Sequence, residues 1–192
     1  AIISGDMRLS KDSGETVSDT YSKVFKVNQN VLVGFTGSGN AVDVLNKKGI
    51  FDKDDCPSAE DYLEFLWFLL GNRVVNEPNH CNILVLGKSK LNYGFGGNFH
   101  MSDDDVQNQL HLTDHRNVWA PILTPPDVDY EYYQDLVSSN VQYIIAEQIN
   151  SPVFSRGLAI KKIKEIHREI ILEISKKDKS VNSNIEQHVI KW

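Results

Sequence analysis

Residues 22–39, SKVFKVNQNVLVGFTGSG, are the stretch that decides the fold of this chain. Two short apolar segments, residues 23–27 and 31–35, flank Asn28-Gln29-Asn30, which are residues that favour tight turns. Apolar segments separated by such a cluster are typical of a β-hairpin. We therefore predict two antiparallel strands here, followed by a glycine-rich turn.

Before the hairpin, the chain opens with AIISGDMRLS, residues 1–10. Adjacent isoleucines among small residues predict a strand, and we expect it to be buried. An acid and a base, Asp6 and Arg8, lie two residues apart at its end. Residues 9–22 are polar and predict a loop between this strand and the hairpin.

After the hairpin, the pattern predicts further helices and strands in alternating groups. They are a short helix closed by Gly49, a deeply packed helix from Ser58 to about Val75, a hairpin over residues 81–97, a strand near 109–112 and a helix over 127–148. Isoleucines between Ile160 and Ile174 suit a helix, although residues 157–160 could instead begin a strand. We expect a single domain, 1–192, whose residues 175–192 form a polar C-terminal tail.

Composition limits the possible functions. The chain has 192 residues, and its formal net charge of −6 argues against a general nucleic-acid or anionic-membrane binder. Cys56 and Cys81 are too few for a disulfide framework and lack metal-ligand spacing. No apolar run reaches the roughly 18 residues that a membrane span needs. We therefore expect a soluble, cytoplasmic protein without a metal or cofactor, with any targeting segment lying before Ala1.

The first quarter of the chain resembles a known family. GDMRLS followed by SKVFKVNQNVLVGFTGSG is similar to the N-terminal third of proteasome β-subunits and their bacterial HslV relatives, which are N-terminal-nucleophile hydrolases. The shared pattern is a strand ending in Asp-x-Arg, a polar loop, a strand containing Lys-Val, and a hairpin that ends at a glycine-rich turn. Lys23 lies 17 positions after Asp6, and Gly37 lies 14 positions after Lys23, close to the family's spacing.

This resemblance implies a fold and a set of site residues. The fold is α+β, a four-layer αββα sandwich of two antiparallel sheets between helices. Lys23 matches the lysine beside the nucleophile, Asp6 the aspartate that orients it, and Arg8 a neighbouring structural arginine. Gly37 matches the glycine whose backbone N–H binds the oxyanion. The family further implies a peptide or other amide substrate and assembly with copies of itself or related subunits.

The nucleophile itself is expected before residue 1. In the family, an N-terminal threonine on the preceding strand supplies both the attacking hydroxyl and, through its α-amine, the general base. Ala1 has no nucleophilic side chain and is too near Asp6 to replace that threonine. The resemblance therefore predicts that the protein is a threonine-type amidohydrolase whose nucleophile lies upstream of residue 1.

Two other functions stay open on the sequence. One is a non-catalytic proteasome-like subunit with a structural or interaction role, and the other is an unrelated α/β binding domain. Asp6 and Arg8 could then be only a strand-end ion pair, and Gly37 only part of a tight turn. Ser155 matches a serine-containing turn of the family loosely.

Overall fold

The computed structural model describes residues 1–10, 13, 15–37, 39–71, 81–101, 106–113, 128–151 and 155–191. Its strands are β1 Ile2–Asp6, β2 Leu9–Ser10, β3 Thr16–Ser18, β4 Val24–Lys26, β5 Val31–Gly37, β6 Cys81–Lys88, β7 Gly94–Met101, β8 Val106–Thr113 and β9 Ile185–Val189. Its α-helices are α1 Gly39–Lys47, α2 Ala59–Leu66, α3 Tyr130–Asn150 and α4 Arg156–Lys177, and a π-helical turn, Trp67–Gly71, continues α2.

The strands form three sheets. β4, β5, β6, β7 and β8 lie side by side in that order, and each neighbouring pair is antiparallel. β2 pairs antiparallel with β3, and β1 pairs with β9. The chain is therefore a mixed α/β protein with antiparallel sheets, which agrees with the predicted class. The four-layer arrangement stays a prediction.

The chain divides into two compact units. The sheet unit consists of Ala1–Ile3, Lys23–Asn117 and His188–Trp192. The helical unit consists of Ser4–Ser22 and Val118–Gln187. Each unit has its own buried apolar residues, and the single domain predicted for 1–192 stays a prediction.

The core of the sheet unit lies between the five-stranded sheet and α2. Every residue of β5 from Val31 to Phe35 is buried, as are Tyr62 and Leu66 of α2. The helix begins where the capping pattern predicts, because the Ser58 hydroxyl accepts a hydrogen bond from the Asp61 N–H at 3.1 Å. α2 thus presents its apolar side to β5, β6 and β7.

The core of the helical unit lies between α3 and α4. Val137 and Val141 of α3 pack with Ile170 and Ile174 of α4. At one end of this pair, the buried Tyr133 hydroxyl donates to Glu173 Oε1 at 2.9 Å and accepts from Lys177 Nζ at 2.7 Å. Residues 157–160, for which a strand was an alternative, are helical, since the isoleucine spacing follows the helical period.

Three sequence expectations need correction. The segment 9–22, predicted as a loop, contains the short antiparallel pair β2–β3. The helix that begins after Ser58 was predicted to be deeply packed along its length. Two of its predicted residues are instead largely exposed, Phe68 at 62% and Trp67 at 41%. In β1 only Ile3 is buried, and the other strand residues are half-buried.

Two further segments differ in detail or lie outside the described part of the chain. The segment 175–192, assigned to a polar tail, begins inside α4 and contains β9. The predicted end of the second helix near Val75, and Asp127 at the start of the third, lie outside the described residues. Within the described ranges, no helix is both long enough and apolar enough to cross a membrane.

Gly87 lies where the β4–β5 turn meets β6. A Cβ at this position would overlap the carbonyl oxygen of Asn30 and would lie 2.9 Å from the Cβ of Ala59. The same Asn30 oxygen accepts a hydrogen bond from the Lys88 N–H at 2.9 Å, so it cannot move away freely. This close approach of two backbones requires glycine.

We therefore expect Gly87→Ala to lower the free energy of unfolding by about 1–3 kcal/mol, because the methyl group must displace backbone atoms. Urea unfolding followed by circular dichroism measures the change. The matched control is Gly157→Ala in the first turn of α4, where the nearest atom to a new Cβ is Ser155 Oγ at 3.8 Å. If both variants unfolded at the same urea concentration as the wild type, the close approach at Gly87 would be refuted.

Candidate active site

Lys23 and Gly37 lie at the same end of the β4–β5 hairpin. The register pairs Val24 with Gly34, and the Phe35 N–H donates to the Lys23 carbonyl at 2.8 Å. Lys23 is half-buried and directly precedes β4, whereas Gly37 is the last residue of β5. The hairpin thus brings together the two residues that the sequence separates by 14 positions.

The backbone at Gly37 has a conformation that favours glycine. Its φ is +107°, in the region that side chains rarely adopt, and the residue is exposed. A side chain here would strain the turn that joins β5 to α1. The position therefore fits either an exposed backbone donor or a tight turn, the two interpretations left open by the sequence.

Asp6 and Arg8 meet through the backbone at the end of β1. The Arg8 N–H donates to Asp6 Oδ2 at 2.9 Å. The guanidinium of Arg8 pairs with Asp19, with its Nε 2.6 Å from Asp19 Oδ1, and its Nη1 donates to the Lys179 carbonyl at 2.8 Å. The guanidinium therefore joins the end of β1 to two other segments of the helical unit.

Asp19 is the acidic partner in this group. The hydrogen bond from Arg8, and next the one from Asn182, hold the pKa of the Asp19 carboxyl below its usual value. The same pairing raises the pKa of Arg8. Both side chains are partly exposed, so the ion pair contributes little to the free energy of unfolding. Its main effect is to fix the orientation of the Arg8 guanidinium.

Asn182 is a buried polar residue that the sequence analysis missed. Its Oδ1 accepts from the Met7 N–H at 3.2 Å and from the Asn184 N–H at 3.1 Å. Its Nδ2 donates to the carbonyl and to Oδ1 of Asp19, at 3.2 and 3.0 Å. It stands in the polar stretch SVNSN, where no local pattern distinguishes it from its neighbours.

A second group of polar side chains joins β1, α4 and β9. Ser4 Oγ lies 2.9 Å from His167 Nδ1, and Gln187 Nε2 donates to the same Ser4 oxygen at 3.0 Å. Burial lowers the pKa of His167 to about 4, so the ring is neutral at pH 7. A serine hydroxyl can accept more than one hydrogen bond, so Ser4 can bind Gln187 and the His167 ring at the same time.

The remaining sequence-predicted positions have structural partners. The Ser155 hydroxyl accepts from the Leu158 N–H at 3.2 Å and so caps α4. Ala1 donates its amino group to the Ile190 carbonyl at 3.0 Å, and its own carbonyl accepts from the Ile190 N–H. Among the side chains that the structure describes, no three His, Cys, Asp or Glu residues cluster as metal ligands.

The four candidate residues fall into two pairs. Lys23 and Gly37 belong to the sheet unit, whereas Asp6 and Arg8 belong to the helical unit. Lys23 and Gly37 lie at one end of the hairpin, and the Arg8 N–H binds the Asp6 carboxylate. A common site of all four stays a prediction from the resemblance.

Comparisons with known proteins find similarity among solved structures alone. No protein-family model matches the chain, and no curated protein matches it. Among solved structures, the eukaryotic HslV from Trypanosoma brucei is similar over 100% of this chain and 93% of its own, with a TM-score of 0.46 and 12% sequence identity. At this TM-score and identity the neighbour carries no functional argument, and the proposal below relies on residues of this chain.

We expect Asn182→Ala to lower the free energy of unfolding by about 1–3 kcal/mol, because it leaves backbone and carboxylate groups of the helical unit without their partner. The matched control is Ser183→Ala at the exposed neighbouring position. Urea unfolding of both variants gives the comparison. Equal stability of the two variants would show that the Asn182 contacts do not hold this region.

The desolvated, half-buried imidazole of His167 predicts an acid-dependent loss of stability. The pKa of His167 is lowered on folding, from 6.5 to about 4, so between these pH values the unfolded chain binds more protons than the folded one. Stability from this residue is complete above pH 6.5 and falls as the pH drops toward 4, by up to about 3 kcal/mol.

Chemical unfolding at pH 7 and at pH 4.5 measures this loss. His167→Asn keeps an acceptor near the Ser4 hydroxyl but cannot be protonated in this range. We expect the difference between the two pH values to be smaller in His167→Asn than in the wild type. An unchanged difference would mean that other groups cause the acid sensitivity.

Proposed function

We propose that this chain forms the body of a proteasome-like amidohydrolase of the N-terminal-nucleophile class, a threonine-type peptidase whose nucleophile precedes Ala1. The observation that carries the proposal is the placement of Lys23 and Gly37 at one end of the β4–β5 hairpin. The resemblance of the order and spacing of Asp6, Lys23 and Gly37 to the family's pattern also supports it.

Each residue has a distinct role in the proposed reaction. The Lys23 ammonium lies beside the terminal amine, lowers the proton affinity of that amine and holds the attacking hydroxyl. Asp6 orients Lys23. Arg8, paired with Asp19, holds the backbone at the end of β1 and so supports Asp6.

The reaction then proceeds in two steps. The terminal hydroxyl attacks the carbonyl carbon of an amide, and the α-amine of the same residue takes its proton. The carbonyl electrons move to oxygen, and the resulting oxyanion accepts a hydrogen bond from the Gly37 N–H. The carbon–nitrogen bond breaks as the proton passes to the leaving amine, and water hydrolyses the ester by the same route.

The exposure and backbone conformation of Gly37 suit this role. An oxyanion donor has to reach substrate, and a residue with positive φ directs its N–H differently from its neighbours in the strand. A half-buried Lys23 likewise suits a group that acts in a partly desolvated site.

The first test determines the N-terminal residue and intact mass of the protein isolated from its native source. The proposal requires a mature terminus upstream of Ala1 that begins with Thr, Ser or Cys at the start of a strand. Any other mature terminus would contradict it and favour a non-catalytic subunit of the same family. Native mass spectrometry of the same sample tests the proposed assembly with copies of itself or with related subunits.

We expect Lys23→Met in the mature protein to lower the rate of peptide-amide hydrolysis by about 100-fold or more, since the terminal amine loses its electrostatic partner. Fluorogenic peptide substrates measure the rate. Lys26→Met is the matched control, because Lys26 carries the same charge at an exposed position of β4. Full activity of Lys23→Met would exclude this mechanism, whereas a mature wild-type protein without amide hydrolysis would favour a binding domain.

A further inference from the structure

The residue before Lys23 is held by the last strand of the chain. The Ser22 hydroxyl donates a hydrogen bond to Oε2 of Glu186 in β9. A hydrogen bond to an ionised carboxylate is stronger than one between neutral groups. One residue earlier, the Tyr21 N–H donates to the Met7 carbonyl at 2.8 Å. The backbone that leads into Lys23 is therefore held at two consecutive residues.

The strand that carries Asp6 is held by the adjacent residue of β9. Gln187 Nε2 donates to Ser4 Oγ at 3.0 Å, and Ser4 lies two residues before Asp6. The same Gln187 nitrogen donates to the Lys164 carbonyl of α4 at 2.9 Å. The same Ser4 Oγ also forms a hydrogen bond with Nδ1 of His167 in α4, at 2.9 Å.

These two contacts come from one short piece of β9. Consecutive residues of a strand point to opposite faces, so Glu186 and Gln187 reach different segments. Glu186 reaches the segment before Lys23, and Gln187 reaches β1 next to Asp6. A single strand thereby constrains the backbone beside both residues.

We propose that Glu186 and Gln187 of β9 are positioning residues, Glu186 for Lys23 through Ser22 and Gln187 for Asp6 through Ser4. The inference rests on the proposed function, because Lys23 and Asp6 have a catalytic role only under that proposal. The positioning itself is independent of catalysis and can be measured without it.

The test compares the chemical reactivity of the two side chains in the folded protein. An activated ester acylates Lys23, a carbodiimide with an amine modifies Asp6, and peptide mass spectrometry gives both rates in one sample. Lys26 and Asp135, both exposed, serve as internal references. The variants are Glu186→Ala and Gln187→Ala, with Glu169→Ala on the exposed side of α4 as the matched control.

We expect each variant to affect mainly the residue that it positions. Glu186→Ala changes the Lys23 acylation rate by about threefold or more and affects Asp6 less, whereas Gln187→Ala does the reverse. A general loss of structure would change both rates together and the reference residues with them. Equal effects on Lys23 and Asp6 in both variants, or effects no larger than in Glu169→Ala, would overturn the proposal.

Conservative variants separate positioning from folding. Ser22→Thr and Ser4→Thr keep the hydroxyl, and we expect wild-type reactivity, whereas Ser22→Ala and Ser4→Ala should reproduce the corresponding β9 variants. If the threonine variants behaved like the alanine variants, the hydroxyl contacts would not be the cause. Because none of these readouts uses amide hydrolysis, failure of the proposed function and failure of this inference give different results.

Discussion

The hydrogen bonds of the Asn182 side chain are the constraint on which the helical unit depends. One amide group satisfies the Met7 N–H at the end of β1 and two acceptors of Asp19 in the segment that leads to the hairpin. These partners are more than 160 positions away in the sequence. Closing such a loop is entropically unfavourable, so the contacts have to be numerous and buried to persist. Asp19 adds the Arg8 ion pair to the same group.

The sheet unit depends on a different kind of interaction. Its strands follow one another as antiparallel neighbours, and most of its contacts join elements that are close in sequence. Side chains of α2 and β5 fill the core, and the carbonyl of Asn30 comes so close to β6 that only glycine fits there. Lys23 and Gly37 therefore lie on a hairpin that is determined by neighbouring parts of the sequence.

The two pairs of candidate residues are supported in different ways. Lys23 and Gly37 obtain their placement from the hairpin, whereas Asp6 and Arg8 lie in a hydrogen-bonded group that involves the C-terminal part of the chain. Ser4 and His167 add a neutral imidazole next to β1, which burial keeps uncharged at pH 7. In a group of partly buried polar contacts, each contact restricts the geometry of its neighbours.

The sequence by itself determined the hairpin, the first turn of α2 and the helix α3, because turn residues, capping residues and hydrophobic periodicity are local signals. For the start of α4 it left a strand as an alternative. A resemblance to a known family also singled out Asp6, Arg8, Lys23 and Gly37. Only the tertiary structure decided that residues 185–189 form a strand beside β1, that Asn182 is buried and that His167 contacts Ser4. These features depend on partners more than 100 positions away, and the residues involved look like ordinary surface residues in the sequence. Burial of a polar side chain is decided by what packs over it, and no local pattern contains that information.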